Sequence, residues 1–272
     1  YKLLILPDII RVDDELKARL ERYIEDGGKI LCSGESGLKT GSDEFALDLG
    51  AVCEGKNEFM PNYMIPEYEA VNGRTAYVMY KQAMNIKPTT GSVEATLEET
   101  YFNRTPDHFC SHQHTPNNPG ADRAGAVLTK NTGYIAWNVF HDYADKGSYH
   151  LKELVLHMID GLLGDERSVK VNLPDRGIVT YTKQEDESRY VAHLLFAHTS
   201  KRGANVEVIE DIIPLCEIKL DARLPKAPKR VYKAEYADGK IVTTDLDYKF
   251  ENGVASADVG KVTMHAMVVF DI

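Results

Sequence analysis

The side chains best suited to chemistry in this 272-residue chain gather around one cysteine and one histidine-rich segment. Cys32 lies in Ile30-Leu31-Cys32-Ser33-Gly34, where an apolar run meets a turn. A cysteine at such a junction becomes a nucleophile when following helix amides and a nearby imidazole favour its thiolate. Its plainer use is as a small buried thiol that fills a strand end. The second cluster is Asp107-His108-Phe109-Cys110-Ser111-His112-Gln113-His114, preceded by Arg104. His108, Cys110, His112 and His114 are the candidate zinc ligands, and on an extended chain His112 and His114 share a side, as do His108 and Cys110. Structural zinc sites usually present two such pairs across a longer loop, and no second pair stands out here. Arg104, Asp107, Phe109, His112 and His114 also read as lining for a ligand or a subunit contact, or as plain loop packing.

The remaining candidates carry less. Glycosidic acid–base chemistry needs two carboxyl groups facing across a pocket, about 5–9.5 Å apart. The adjacent pairs Asp13-Asp14, Asp43-Glu44 and Glu98-Glu99 point apart and suit helix caps and solvated faces. Asn103-Arg104-Thr105 is a formal glycosylation sequon, a motif common enough to carry little. His193 and His265 lie in apolar strand runs and read as core histidines, and Trp137, the single tryptophan, reads as a strand residue. No motif requires a cofactor or a resident metal.

These groups must be held by elements. Lys2 to Leu6 reads as a buried strand, Asp13 or Asp14 as the cap of a helix with apolar Leu16, Leu20, Tyr23 and Ile24, and Gly27-Gly28 as its end. Lys29 to Cys32 follows as a strand, with Gly34 and Gly37 in the turn beyond it. A strand, a helix and a strand so close together form a right-handed βαβ unit. Thr75 to Tyr80, Val93 to Leu97, Ala126 to Thr129 and Tyr134 to Val139 read as short strands, with a long loop from Tyr101 to Asp122. Leu151 to Leu162 marks an amphipathic helix ending at Gly164. Beyond it the pattern turns to strands: Val169 to Leu173, Ile178 to Thr182, Tyr190 to Ala197, Glu207 to Leu224, Arg230 to Glu235, Lys240 to Thr244 and Val262 to Phe270. Turn signals at Asp238-Gly239 and Asn252-Gly253 make this part a β-sandwich. The boundary gives residues 1–166 as an α/β domain and 167–272 as the sandwich.

A net charge of -10 argues against a nucleic-acid partner, and no stretch approaches the ~18 apolar residues of a membrane span. Four scattered cysteines make no disulfide framework and assign no compartment. The chain opens on Tyr1 and runs straight into an apolar strand, the reading of a piece of a larger protein.

Tyr1-Lys2-Leu3-Leu4-Ile5-Leu6-Pro7-Asp8, Glu15 to Gly28, Lys29-Ile30-Leu31, Gly133-Tyr134-Ile135 and the helix Leu151 to Leu163 together resemble the trimerisation domain of glycoside hydrolase family 42 β-galactosidases. Arg189 to Leu195 and Glu210 to Leu215 resemble the C-terminal sandwich of such enzymes, some of them α-L-fucosidase-like. The resemblance implies a flavodoxin-type, class I glutamine amidotransferase-like parallel-sheet domain, assembly as a homotrimer, and carbohydrate as the substrate of the parent enzyme. It also implies a catalytic (β/α)₈ barrel, for which this chain has no room. In that fold Cys32 stands where an amidotransferase carries its nucleophile. The required downstream His-x-Glu is absent, and His141-Asp142 has the wrong spacing. The expectation is a non-catalytic portion serving oligomerisation and support of an active site elsewhere. The competing readings are a stand-alone thiol enzyme using Cys32 and a carbohydrate-binding module, hinted at by Tyr232 and Tyr236.

Overall fold

The computed structural model describes residues 1–272, the side chain of Ala121 excepted, as two compact units, Tyr1–Gly164 and Asp165–Ile272. The first unit opens with β1 (Leu3–Leu6), α1 (Asp14–Glu25) and β2 (Lys29–Ser33). Asp13 caps α1, its carboxylate accepting from Leu16 N at 2.8 Å. Gly27 ends the helix at φ 92°, and a Cβ on Gly28 would strike the Tyr23 ring at 2.4 Å. β3 (Ala51–Lys56), β4 (Asn62–Pro66), β5 (Tyr77–Met79), β6 (Met84–Pro88), β7 (Ser92–Thr100), β8 (Asn117–Leu128) and β9 (Thr132–Ile135) complete its sheet, followed by α2 (Val139–Lys146) and α3 (Tyr149–Leu163).

The nine strands run β1-β2-β9-β8-β7-β4-β5, with the β3–β6 pair joined through β8. Only β1, β2 and β9 are parallel to one another; every other pairing is antiparallel. The unit is therefore mostly β, a mixed sheet with few helices. Its core holds Ile30, Leu31, Met64, Leu97, Ile135 and Trp137, all fully buried.

Several sequence expectations are corrected here. The loop expected from Tyr101 to Asp122 is shorter, because Asn117 onward pairs as β8 despite its Asn, Pro and Gly content; register shifts against β7 absorb those residues. The strand expected through Val139 stops at Ile135, and Val139 begins α2. Trp137 lies beyond β9 and makes an isolated bridge to Ala83. β3, β4 and β6 had no sequence signal strong enough to name.

The second unit contains β10 (Val169–Val171), β11 (Ile178–Gln184), β12 (Arg189–Leu195), β13 (Ser200–Arg202), β14 (Val206–Val208), β15 (Leu215–Arg223), β16 (Arg230–Ala237), β17 (Lys240–Asp245), β18 (Tyr248–Glu251), β19 (Val254–Val262) and β20 (His265–Asp271). A four-stranded sheet, β10-β15-β19-β18, and a five-stranded sheet, β11-β12-β20-β16-β17, share one core of Leu194, Leu220, Ala257, Val268 and Phe270. This is the arrangement of a β-sandwich. The β16–β17 and β18–β19 hairpins turn on Asp238-Gly239 and Asn252-Gly253, with φ of 51° and 78°, then 52° and 80°. Positive φ at both central residues is the twist-matched type I′ geometry. The single run expected from Glu207 to Leu224 divides into β14 and β15.

Among the described residues no helix is long and apolar enough to cross a membrane.

Candidate functional site

Ligands of open α/β sheets bind beyond the carboxyl ends of the parallel strands. In the first unit, that place is filled by the chain's own side chains. Asp8, held at φ 55° and almost fully buried, follows β1. Its carboxylate accepts from Ser33 Oγ at 2.6 Å, from His141 N at 2.7 Å and from Phe140 N at 3.4 Å. It thus sits on the first amides of α2, where an anion offsets the positive end of the helix. Ser33 Oγ also accepts from Asp8 N at 2.9 Å, and Ser36 Oγ accepts from Ile10 N at 2.9 Å. The Tyr134 hydroxyl donates to the Gly34 carbonyl.

Cys32 lies beneath this network, fully buried, and desolvation pushes its thiol up to about 12. Among the described residues no imidazole hydrogen-bonds to it. His141 and Asp142 diverge: His141 is exposed, whereas Asp142 is buried and accepts from Tyr80 N at 2.7 Å. Desolvation raises the Asp142 carboxyl, and its Oδ1 has no hydrogen-bond partner.

The histidine-rich segment forms a tied loop, residues 101–116, between β7 and β8. Thr105 and His108 exchange backbone hydrogen bonds at 2.9 and 3.2 Å, which closes a tight turn carrying Asp107. The His108 ring stacks on Phe102 with centroids 3.8 Å apart. Arg104 donates to the Gln113 carbonyl and so braces the loop from within. At its base, Tyr63 OH donates to the Thr115 carbonyl at 2.8 Å. Asn103 both donates to the Glu58 carbonyl at 2.6 Å and accepts from Met60 N at 3.0 Å. His114 meets the Tyr80 ring edge-on at 5.2 Å, and Lys146 lies over that same ring.

These ties decide what the loop presents. Phe109 is 65% exposed, Tyr101 59% and Met60 54%, with Asp107 and His112 also exposed. The four candidate metal ligands do not converge. The Cys110 thiol faces the His112 and His114 carbonyls at 3.6 Å, His108 is stacked, and His114 packs on Tyr80. Among the described residues no group of three or more His, Cys, Asp or Glu is arranged to hold a metal ion. The Glu98-Glu99 pair is likewise divided, Glu99 to Arg123 at 3.0 Å and Glu98 to Asn117 at 2.6 Å.

The roles of Tyr63, Tyr80 and Asn103 had no sequence signal, since Tyr63 reaches its partner across 52 residues. Two open grooves in the same unit, of about 450 and 460 Å³, are lined by Asp48 and its neighbours and contain none of the loop residues. In the second unit, Arg230 covers the Tyr232 ring at 4.4 Å, while Tyr236 is 72% exposed opposite Ile241.

A family model described as the β-galactosidase trimerisation domain matches residues 1–146. The chain belongs to that family. The chain is similar over its whole length to the structure of α-L-fucosidase isoenzyme 2 from Paenibacillus thiaminolyticus, with 41% identity and a TM-score of 0.92. It covers 41% of that structure's chain. A β-galactosidase from Bacillus circulans sp. alkalophilus shares the fold over the whole chain at 15% identity and a TM-score of 0.53; 33% of that enzyme is covered. The chain thus spans well under half the length of either relative. A comparison with curated proteins found no match.

Proposed function

We propose that this chain is the self-association and support portion of a larger glycoside hydrolase, with the catalytic carboxylates outside it. The observation that carries the reading is the likeness to the fucosidase structure, over all of this chain but 41% of that one. Under this reading the parent enzyme acts on α-L-fucosides, and β1, β2 and β9 are the parallel core of an amidotransferase-like domain. Loop 101–116 is the contact element. Phe109 supplies an exposed aromatic anchor, and Arg104 holds the loop in shape, the two residue types enriched at interface centres. The exposed Asp107 and His112 beside Phe109 favour a second use of that loop, reaching over a neighbouring active-site mouth to offer polar groups to a sugar.

Sedimentation equilibrium tests the assembly. An oligomer mass at micromolar concentration is expected, with a shift toward monomer in Phe109→Ala and a smaller one in Arg104→Ala. A monomer for the unaltered chain would overturn self-association, and an oligomer indifferent to both substitutions would remove the loop from its interface. The chain alone is expected to turn over no nitrophenyl glycoside; activity abolished by replacing one of its own Asp or Glu residues would contradict the support role. Cys32 is expected to alkylate last, after the exposed Cys216; rapid neutral-pH alkylation of Cys32 would revive the thiol-enzyme reading.

A further inference from the structure

We propose that His193, His265 and Met267 form a binding site for a soft monovalent metal ion, Cu(I), on the outer face of the second unit's five-stranded sheet. β12 and β20 are neighbours there, and Ala192, Leu194, Ala266 and Val268 turn inward to the shared core. Side chains alternate along a strand, so His193, His265 and Met267 stand on the opposite face. The register places His193 directly across from Met267, with His265 two residues away on the same strand as Met267. The two imidazole side chains and the Met267 side chain therefore rise from neighbouring positions on one face of the sheet. All three residues are half-buried, shielded from bulk water but reachable from it.

The geometry of the two rings is the stronger observation. His193 Nδ1 and His265 Nε2 face each other at 3.2 Å, with the ring centroids 5.5 Å apart. In the metal-free state this contact requires one ring nitrogen to carry a proton and the other a lone pair. A metal ion can replace that shared proton. Two nitrogens each about 2.0–2.1 Å from one ion, at a tetrahedral angle, are about 3.3 Å apart, so the rings need to move very little. The displaced ring proton moves to the far nitrogen by tautomerisation: His193 keeps Nε2–H, His265 keeps Nδ1–H, and binding releases no net proton.

The third donor selects the ion. Thioether and imidazole together suit Cu(I), whereas hard cations seek oxygen. Among the described residues no further His, Cys, Asp or Glu completes a cluster with this pair, so a divalent ion wanting four such ligands is poorly served.

The test is a titration of the full isotope-labelled chain, its accessible thiols alkylated beforehand, with the Cu(I)–acetonitrile complex under nitrogen. One equivalent is expected to shift the ring nitrogens His193 Nδ1 and His265 Nε2 and the Met267 methyl group. Competition with a chromophoric Cu(I) chelator is expected to show at least a hundredfold loss of affinity in His193→Ala and His265→Ala, and about tenfold in Met267→Leu. The unaltered chain gives the decisive reading even if a variant folds poorly. Absence of shifts at both rings after one equivalent overturns the site. An unchanged Cu(I) affinity in Met267→Leu, or Zn(II) bound as tightly as Cu(I), overturns the thioether ligand and the assignment of the ion.

Discussion

Asp8, Ser33, Asn62, Thr115 and Asp142 are buried in the first unit, whereas Lys233 is the one polar or charged residue buried in the second, among the described residues. In the first unit such groups fasten distant segments together. Asp8 holds the start of α2 across 133 residues, and the Trp137 indole donates to Asn62 Oδ1 at 2.7 Å across 75. The sandwich is built instead from alternating apolar residues and tight hairpins. A buried hydrogen-bonded group resists replacement because its partner is left unsatisfied, while an apolar core tolerates volume-conserving exchange. The first unit should therefore be brittle at a few polar or interlocked points, and the second more evenly robust.

The comparison is broken most directly at Trp137. Trp137→Ala is expected to cost about 3–5 kcal/mol, from the lost volume together with the stranded Asn62. Residue-specific hydrogen exchange should show the loss throughout the first unit while the amides of β12, β19 and β20 keep their protection. Equal loss in both units would remove the distinction. Asp8→Ala is next, at about 2–3 kcal/mol, because three donors lose a charged acceptor. The amides of Phe140 and His141 should exchange first, and a uniform loss would show that Asp8 is not the anchor of α2. On the sandwich side, Gly253→Ala forces a side chain into φ 80° and is expected to cost about 1 kcal/mol. A melting temperature unmoved by this change would mean that the hairpin turn contributes little.

The smallest effect concerns pH. Desolvation raises the Asp142 carboxyl above its ordinary value, so the folded chain holds that proton more tightly than the unfolded chain does. Its contribution to stability is complete below the ordinary carboxylate range and fades as pH rises through the raised value. Asp142→Asn removes this loss, so the variant should gain melting temperature relative to the parent chain as pH rises through and above the ordinary carboxylate range. A difference that stays constant over that range would contradict the burial argument.

The same contrast governs what could be read in the sequence. The βαβ opening was legible because a capping Asp13, a helical apolar period and Gly27 all act within a few residues. α3 was legible through its periodic Leu151, Leu154, Met158 and Leu162. The hairpins of the sandwich were legible because Asp-Gly and Asn-Gly favour positive φ wherever they occur. β8 was misread in part, since Asn117 to Gly120 carries turn-forming residues that nonetheless pair with or lie beside β7. α2 was missed because Asn138 makes no side-chain cap; its amides are satisfied by Asp8, far away in sequence. At the candidate loop, the chemistry-bearing residues were visible but their directions were not. Whether His108 faces a metal or a phenylalanine depends on Phe102, and the loop's base depends on Tyr63 and Asn103.

The sequence by itself determined the elements whose causes are local, namely caps, helical period, alternation and two-residue turns. It also carried enough short strings to place the chain in its family. Tertiary structure decided the rest: that six of the nine strands in the first sheet stand outside its parallel trio, that the parallel strand ends are closed by Asp8 and Ser33, and that His193 and His265 meet across neighbouring strands. Each of these depends on pairing between residues tens to more than a hundred positions apart. No local preference encodes such a pairing, because it exists only once the intervening chain has folded and the buried polar groups have found their partners.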